Sequence, residues 1–223
     1  MGCVVAAGAA AFALDQYLEA KKERQFVNWP ADPKLLSAPD FAHWRADPLI
    51  LGRPAPRFNL EDVRTGARMS LDEFRSRPVV LLLSSFGCNV FCAELGRLTD
   101  LHKKYKNKVA FLFIAIRDAG HPDPKSSPPA GAPRPGESAH ETRLRLVREG
   151  AEYLALPFPA LLDADGKTEN AYAAFPKRLV IVSADGRIVY DGGRGAAGGP
   201  SEWDLRKVEE HLRTALVKAR TTE

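Results

Sequence analysis

The segment from Leu82 to Leu95, Leu-Leu-Ser-Ser-Phe-Gly-Cys-Asn-Val-Phe-Cys-Ala-Glu-Leu, constrains this chain more than any other. Val79 to Leu83 is an unbroken apolar run behind Pro78, the pattern of a strand buried on both faces. It breaks at small residues, and apolar residues at helical spacing resume from Ala93. A strand that turns directly into a helix leaves the first helical N–H groups unpaired and points the positive end of the helix dipole at the turn. Cys88 occupies that turn. A cysteine in such a position is favoured as the thiolate, the form that acts as a nucleophile, so Cys88 is predicted to be a redox or nucleophilic centre.

Composition narrows the alternatives. The 223 residues suit one domain of ordinary size with extensions, and a hydrophobic fraction of 45% is enough for a real core. The net charge of +4 comes from Lys and Arg interleaved with Asp and Glu. No basic block with interleaved aromatics occurs, so nucleic acid is not the expected partner. Three cysteines, Cys3, Cys88 and Cys92, are too few for a disulfide scaffold, and no Cys/His pairs have zinc-finger spacing. Neither a bound metal nor a bound cofactor is expected.

The chain divides into four segments. Residues 1–26 are an apolar N-terminal run and helix. Gly2 to Leu14 falls short of the ~20 residues that span a bilayer and lacks a basic signal-peptide start. Met1-Gly2-Cys3 leaves lipidation at Cys3, a weak membrane anchor and a membrane-associated or cytoplasmic location all open. Residues 27–50 form a linker with Pro30, Pro33, Pro39 and Pro48 among Trp29, Phe41 and Trp44. Residues 51–218 form the main domain, and 219–223 a tail.

Within the domain, Arg64 to Ala67 reads as a turn, and Ser70 as the cap of a short helix. The helix after Cys88 carries Cys92, Leu95, Leu98, Leu101 and Tyr105 at spacings of three and four. Val109 to Ile116 is a second strand covered on both faces. Arg117 to Gly136 is a long Pro/Gly/Ser segment, either functional or disordered, and its Pro-rich part from Asp123 to Pro135 is read either as a lid or as disordered chain. Ser138 and Glu141 form a capping box for a helix with a Leu144, Val147, Ala151 and Leu154 stripe. The segment Phe158-Pro159-Ala160-Leu161-Leu162, a turn at Asp163 to Gly166 and a short helical piece through Tyr172 follow. The strands Leu179–Val182 and Ile188–Tyr190 flank a hairpin turn at Ala184 to Arg187. A last helix carries Leu205, Val208, Leu212 and Leu216. This order predicts an α/β fold, a central mixed sheet flanked by helices.

The order resembles the thioredoxin-like fold of the redoxins. Three features carry the resemblance: Gly52-Arg53-Pro54-Ala55-Pro56-Arg57-Phe58-Asn59-Leu60 as the opening segment, the strand–turn–Cys88–helix unit, and Pro176 just before the hairpin strands. In that superfamily a cis proline at this place faces the active cysteine, which implies a site role for Pro176. Within it, the chain is most similar to the iodothyronine deiodinases. Their motif Phe-Gly-Ser-Cys-Thr-selenocysteine-Pro-Pro-Phe-Met-Ala lies ungapped over Leu83 to Ala93. Ser85, Phe91 and Ala93 match, and Cys88 falls on the selenocysteine. Phe111 to Pro122, Phe175 to Leu179 and Gly186 to Gly193 resemble further segments of the family. Phe86 stands where the family has cysteine, Gly87 where it has threonine, and Asn89-Val90 where it has two prolines. Gly120 is an extra residue before His121.

The resemblance implies a thiol oxidoreductase in which Cys88 attacks a halogenated aromatic, a peroxide or a disulfide. An external thiol or a reductant protein would restore it, and a homodimer is implied as well. Ser85, placed as in the peroxiredoxin Thr-x-x-Cys pattern, is expected to hydrogen-bond the thiolate. Cys92 is either a resolving thiol or a core residue. His121 is read as a proton relay oriented by Asp118 or as a surface histidine. Arg178 is read as a residue that favours the thiolate and binds substrate, or as an outward strand arginine. The competing reading of the whole is a redox-inactive binding module of the same fold, free or membrane-tethered.

Overall fold

The computed structural model describes residues 49–220 except 87, 117–132, 176 and 194–202. The N-terminal run, Cys3, the linker up to residue 48, Asp118, His121, Pro176 and the tail from 221 therefore lie outside the described residues. Seven strands make one sheet: β1 (Asn59–Asp62), β2 (Arg68–Ser70), β3 (Val79–Ser84), β4 (Ala110–Ala115), β5 (Ala160–Leu162), β6 (Arg178–Val182) and β7 (Ile188–Asp191). Their order is β2-β1-β5-β4-β3-β6-β7. β3 runs parallel to β4 and antiparallel to β6. β3 and β4 are buried at every residue, which is why their sequences read as continuous apolar runs. The β1–β2 hairpin was not predicted as strands: β2 is three residues long, and none of its residues is buried.

Among the described residues the helices are α1 (Asn89–Tyr105), α2 (Ala139–Tyr153), α3 (Lys167–Ala171) and α4 (Leu205–Arg220), with a short 3-10 helix at Leu71–Phe74. Because side chains alternate across a strand, the sheet has two cores. On one face Val80, Leu82, Phe113, Leu179 and Ile181 meet Phe91, Leu95 and Leu98 of α1, Ala151 of α2, and Val208 and Leu212 of α4. On the other, Leu81, Leu83, Leu112, Ile114 and Val180 meet Phe58, Leu71, Phe74 and Tyr172. Each fully buried Leu or Phe contributes about 1.5–3 kcal/mol, against about 0–1 for an exposed ion pair. The fold is held by these two layers rather than by its many surface charges.

Local chemistry sets the helix ends. The predicted capping box opens α2: Ser138 Oγ accepts the Glu141 N–H at 3.2 Å, and the Glu141 carboxylate accepts the Ser138 N–H at 2.8 Å. At its C-terminal end, the Arg64 guanidinium donates to the carbonyls of Ala151, Leu156 and Phe158, tying the last turn to the chain that follows it. Asp163, fully buried, accepts the N–H groups of Thr168 and Glu169 and so starts α3. Among the described residues no helix is long and apolar enough to cross a membrane.

Two carboxylates make the fold acid-sensitive. Glu209 of α4 accepts from Lys104 Nζ at 2.7 Å, Tyr105 Oη at 2.9 Å and Arg213 at 2.8 Å. These partners, Lys104 foremost, hold its pKa at about 2, against an ordinary 4.5. Glu137, bonded to Arg145 and to the Arg134 N–H, is held at about 2 as well. A carboxylate with a lowered folded-state pKa contributes stability that is complete above its unfolded value and is lost as pH falls through the folded one. Urea midpoints are therefore expected to hold down to about pH 4.5 and to drop between about 4.5 and 2. Glu209→Gln should flatten that drop.

Candidate active site

β3 lies between β4 and β6 and delivers its C-terminal end to the start of α1. Between them, the Cys88 N–H donates to the Ser85 carbonyl at 3.1 Å, closing a tight turn. Cys88 is the N-cap of α1, with extended backbone angles (φ −78°, ψ 104°). Its carbonyl accepts the first helical bond, from the Cys92 N–H at 3.0 Å. The helix thus begins at Asn89, earlier than the resumption of apolar spacing suggests, and the thiol sits on its rim. Cys88 is half-buried, and its side chain caps none of the helix N–H groups. The unpaired donors of the first turn and the dipole converge beside it.

Cys92 is also a half-buried thiol; it donates to the Phe86 carbonyl at 3.3 Å and packs against the core at its edge. Phe91, by contrast, is fully buried and stacked on Phe113 with ring centres 4.9 Å apart. Phe86 joins the same aromatic group, 4.6 Å from Phe113.

The expected bond from the Ser85 hydroxyl to the thiolate is not formed. Among the described residues the buried Ser85 Oγ has no hydrogen-bond partner, and the turn closes through the Ser85 main-chain carbonyl instead. Both readings of Arg178 are corrected. It is 3% exposed and pairs across the sheet with Leu83, whose side chain belongs to the core on the face away from α1. There its guanidinium donates to both Asp191 carboxylate oxygens, at 3.0 and 3.1 Å, and to the carbonyls of Tyr172 and Ala173. It is an internal strut, neither solvated nor directed at Cys88. Asp118, His121 and Pro176 fall outside the described residues. The last described residue before the first two, Ile116, donates its N–H to the Ser84 carbonyl at 3.0 Å, so β4 ends beside the cysteine turn.

Sequence reasoning passed over a buried charge pair on the α1 side. Lys177 Nζ lies 3.3 Å from the Glu94 carboxylate, each side chain only 2% exposed, and 3.9 Å above the Trp203 ring. The Trp203 N–H also donates to Glu94. The pair links α1, the start of β6 and the approach to α4. A signal was available: Glu94 follows Phe91 by three on the core face of α1, where a carboxylate needs a partner. Lys177 is the neighbour of Arg178, and the pleat sends adjacent residues to opposite faces.

Among the described residues no group of three His, Cys, Asp or Glu is placed to hold a metal ion. A surface depression of about 230 Å³, lined by Pro54, Phe74, Val79 and Arg187 among others, lies at the opposite end of β3 from Cys88.

A mixed sheet with helices on both faces, and a cysteine at the N-cap following its central strand, define a thioredoxin-like protein of the redoxin type. Solved structures share this fold: a thiol-disulfide oxidoreductase thioredoxin domain from Bacteroides vulgatus (TM-score 0.51, 18% identity, 74% of this chain and 99% of that one), and a protein from Sinorhizobium meliloti (TM-score 0.54, 24% identity, 75% and 87%). A family model described as iodothyronine deiodinase matches residues 47–215. The chain belongs to the iodothyronine deiodinase family. Its relatives include the thyroxine 5-deiodinases of Rattus norvegicus, 32% identical over 154 residues (66% of this chain, 49% of the relative), and of Sparus aurata, 30% identical over 145 residues (65% and 54%). The chain spans about half the length of the curated relatives it matches.

Proposed function

We propose that this protein is a thiol-dependent oxidoreductase of deiodinase type, with Cys88 as the attacking group. The observation that carries the reading is the position of Cys88: a half-buried thiol at the N-cap of α1, at the end of the central strand. A helix N-terminus leaves backbone N–H groups without intrahelical partners, and they face a group at that place. Toward an iodinated phenol the thiolate sulfur takes the iodine: an S–I bond forms, the C–I bond breaks, and the ring carbon takes a proton. Toward a peroxide, an S–O bond forms as O–O breaks, and hydroxide leaves. In either case a second thiol attacks the oxidised Cys88 sulfur, releasing iodide or water and leaving a disulfide, which an external dithiol reduces. Cys92, one helical turn on, is a candidate for that second thiol; an external thiol is the alternative. His121, with Asp118 orienting it, is proposed as the source of the ring proton, following the β4 end that adjoins the site.

The test is a single-turnover reaction with hydrogen peroxide, a model disulfide and an iodophenol, quenched with an alkylating reagent. Peptide mapping is expected to show loss of alkylatable Cys88 in step with product. Loss of Cys92 in the same peptide would assign the resolving role to it. Product formation with Cys88 still fully alkylatable would refute the proposal. If none of the three reagents oxidises Cys88, the redox-inactive binding module is the better reading.

A further inference from the structure

Gly150 lies inside α2, three residues before its end, and is not among the residues of positive φ, so no turn requires a glycine there. Glycine is among the poorest helix formers. Its reason is a close approach. A Cβ on Gly150 would lie 2.4 Å from Cδ2, 2.9 Å from Cγ and 3.0 Å from Cε2 of Phe86. The ring has little room to retreat, being stacked on Phe113 at 4.6 Å with Phe91 beyond at 6.3 Å. Phe86 belongs to the turn that the Cys88 N–H closes onto the Ser85 carbonyl, and its own carbonyl accepts the Cys92 thiol. The main chain of Phe86 thus lies within the turn that leads to Cys88 and holds the Cys92 thiol, and its ring is seated in a notch that only glycine leaves open.

We infer that Gly150 is a positioning residue for Cys88, acting through Phe86. The notch in α2 fixes the ring, the ring fixes the turn, and the turn places the Cys88 sulfur against the N-terminus of α1 and the Cys92 thiol against the Phe86 carbonyl. The inference rests on the reading of Cys88 as the reactive thiol. Packed cores transmit such displacements because they have no free volume to absorb them, and misplacement of a reacting group by about 1 Å can cost up to about 10²-fold in rate.

The experiment measures the rate of Cys88 alkylation by iodoacetamide against pH, on the full chain, with the modified cysteine assigned by peptide mapping. Gly150→Ala is expected to change the rate at neutral pH by about tenfold or more and to displace the midpoint of the profile. In a Phe86→Leu background, where the smaller side chain leaves room for the methyl group, the same substitution should change the rate by less than about threefold. A folded Gly150→Ala protein with the wild-type profile overturns the inference. So does an effect of equal size with Leu at position 86. Should Gly150→Ala fail to fold, Phe86→Leu alone decides: it keeps the notch open but empties it, and an unchanged profile overturns the inference. Alkylation does not depend on turnover, so a protein that turned over its substrates without Cys88 would refute the proposed function while leaving this coupling separately measurable.

Discussion

Cys88→Ser is expected to lower single-turnover rates with peroxide, disulfide and iodophenol by about 10³-fold or more, with the fold unchanged. The size follows from the chemistry. Serine keeps the volume and the N-cap preference, but its hydroxyl does not ionise near neutral pH and is a poor acceptor of an iodine or an oxygen atom. What disappears is the bond-forming group itself, and no geometric adjustment replaces it. Cys92→Ser supplies the contrast. If Cys92 resolves the oxidised Cys88, the first oxidation proceeds at the wild-type rate and reduction by a dithiol slows. If Cys92 only fills the edge of the core, both steps stay within about threefold of wild type. Circular dichroism and urea midpoints establish that each variant is folded. A Cys88→Ser protein that retained activity with all three reagents would place the chemistry elsewhere.

Lys177→Met is expected to cost about 3–5 kcal/mol of stability, the largest single-site loss anticipated outside the cysteine turn. Lys177 and Glu94 are each 2% exposed, with the ammonium over the Trp203 ring. Removing the lysine leaves a carboxylate in a low-dielectric interior without its cation, and the cation–π contact goes too. For a protein of this size that corresponds to roughly 6–20 °C in Tm. Lys177→Met with Glu94→Gln should recover much of the loss, since glutamine is uncharged and its carbonyl still accepts the Trp203 N–H. Equal destabilisation in the single and double variants would show that the lysine acts through its methylene stem and not its charge. Urea unfolding followed by tryptophan fluorescence, with Trp29 and Trp44 replaced by phenylalanine so that Trp203 alone reports, reads this junction of α1, β6 and α4.

The lysine pair and the arginine strut show how far the linear pattern reaches. Lys177 and Arg178 are adjacent cations beside a proline that the family resemblance places at the active site, and Arg178 was the one singled out. Which of the two faces α1 depends on the phase of β6, and a shift of one residue exchanges the faces. The register that pairs Arg178 with Leu83 settled it. The position of Cys88 was legible because strand, turn and helix start are all local features, each with its own signature over a few residues. The capping box of α2 was legible for the same reason. Phe86 and Gly150 were not, since 64 positions separate them and neither carries a local signal of the other.

The sequence by itself therefore determined the fold class, the cysteine at the strand–helix junction and the deiodinase kinship. These rest on apolar periodicity and on a contiguous motif. Only the tertiary structure decided that Ser85 closes its turn through the main chain and that Arg178 is bound on the far face of the sheet. It alone showed that Glu94 is paired with Lys177, and that Phe86 is seated against α2. Each of these depends on which groups meet across distant segments once two cores close around the sheet, and such meetings are set by register and packing that no single stretch of chain encodes.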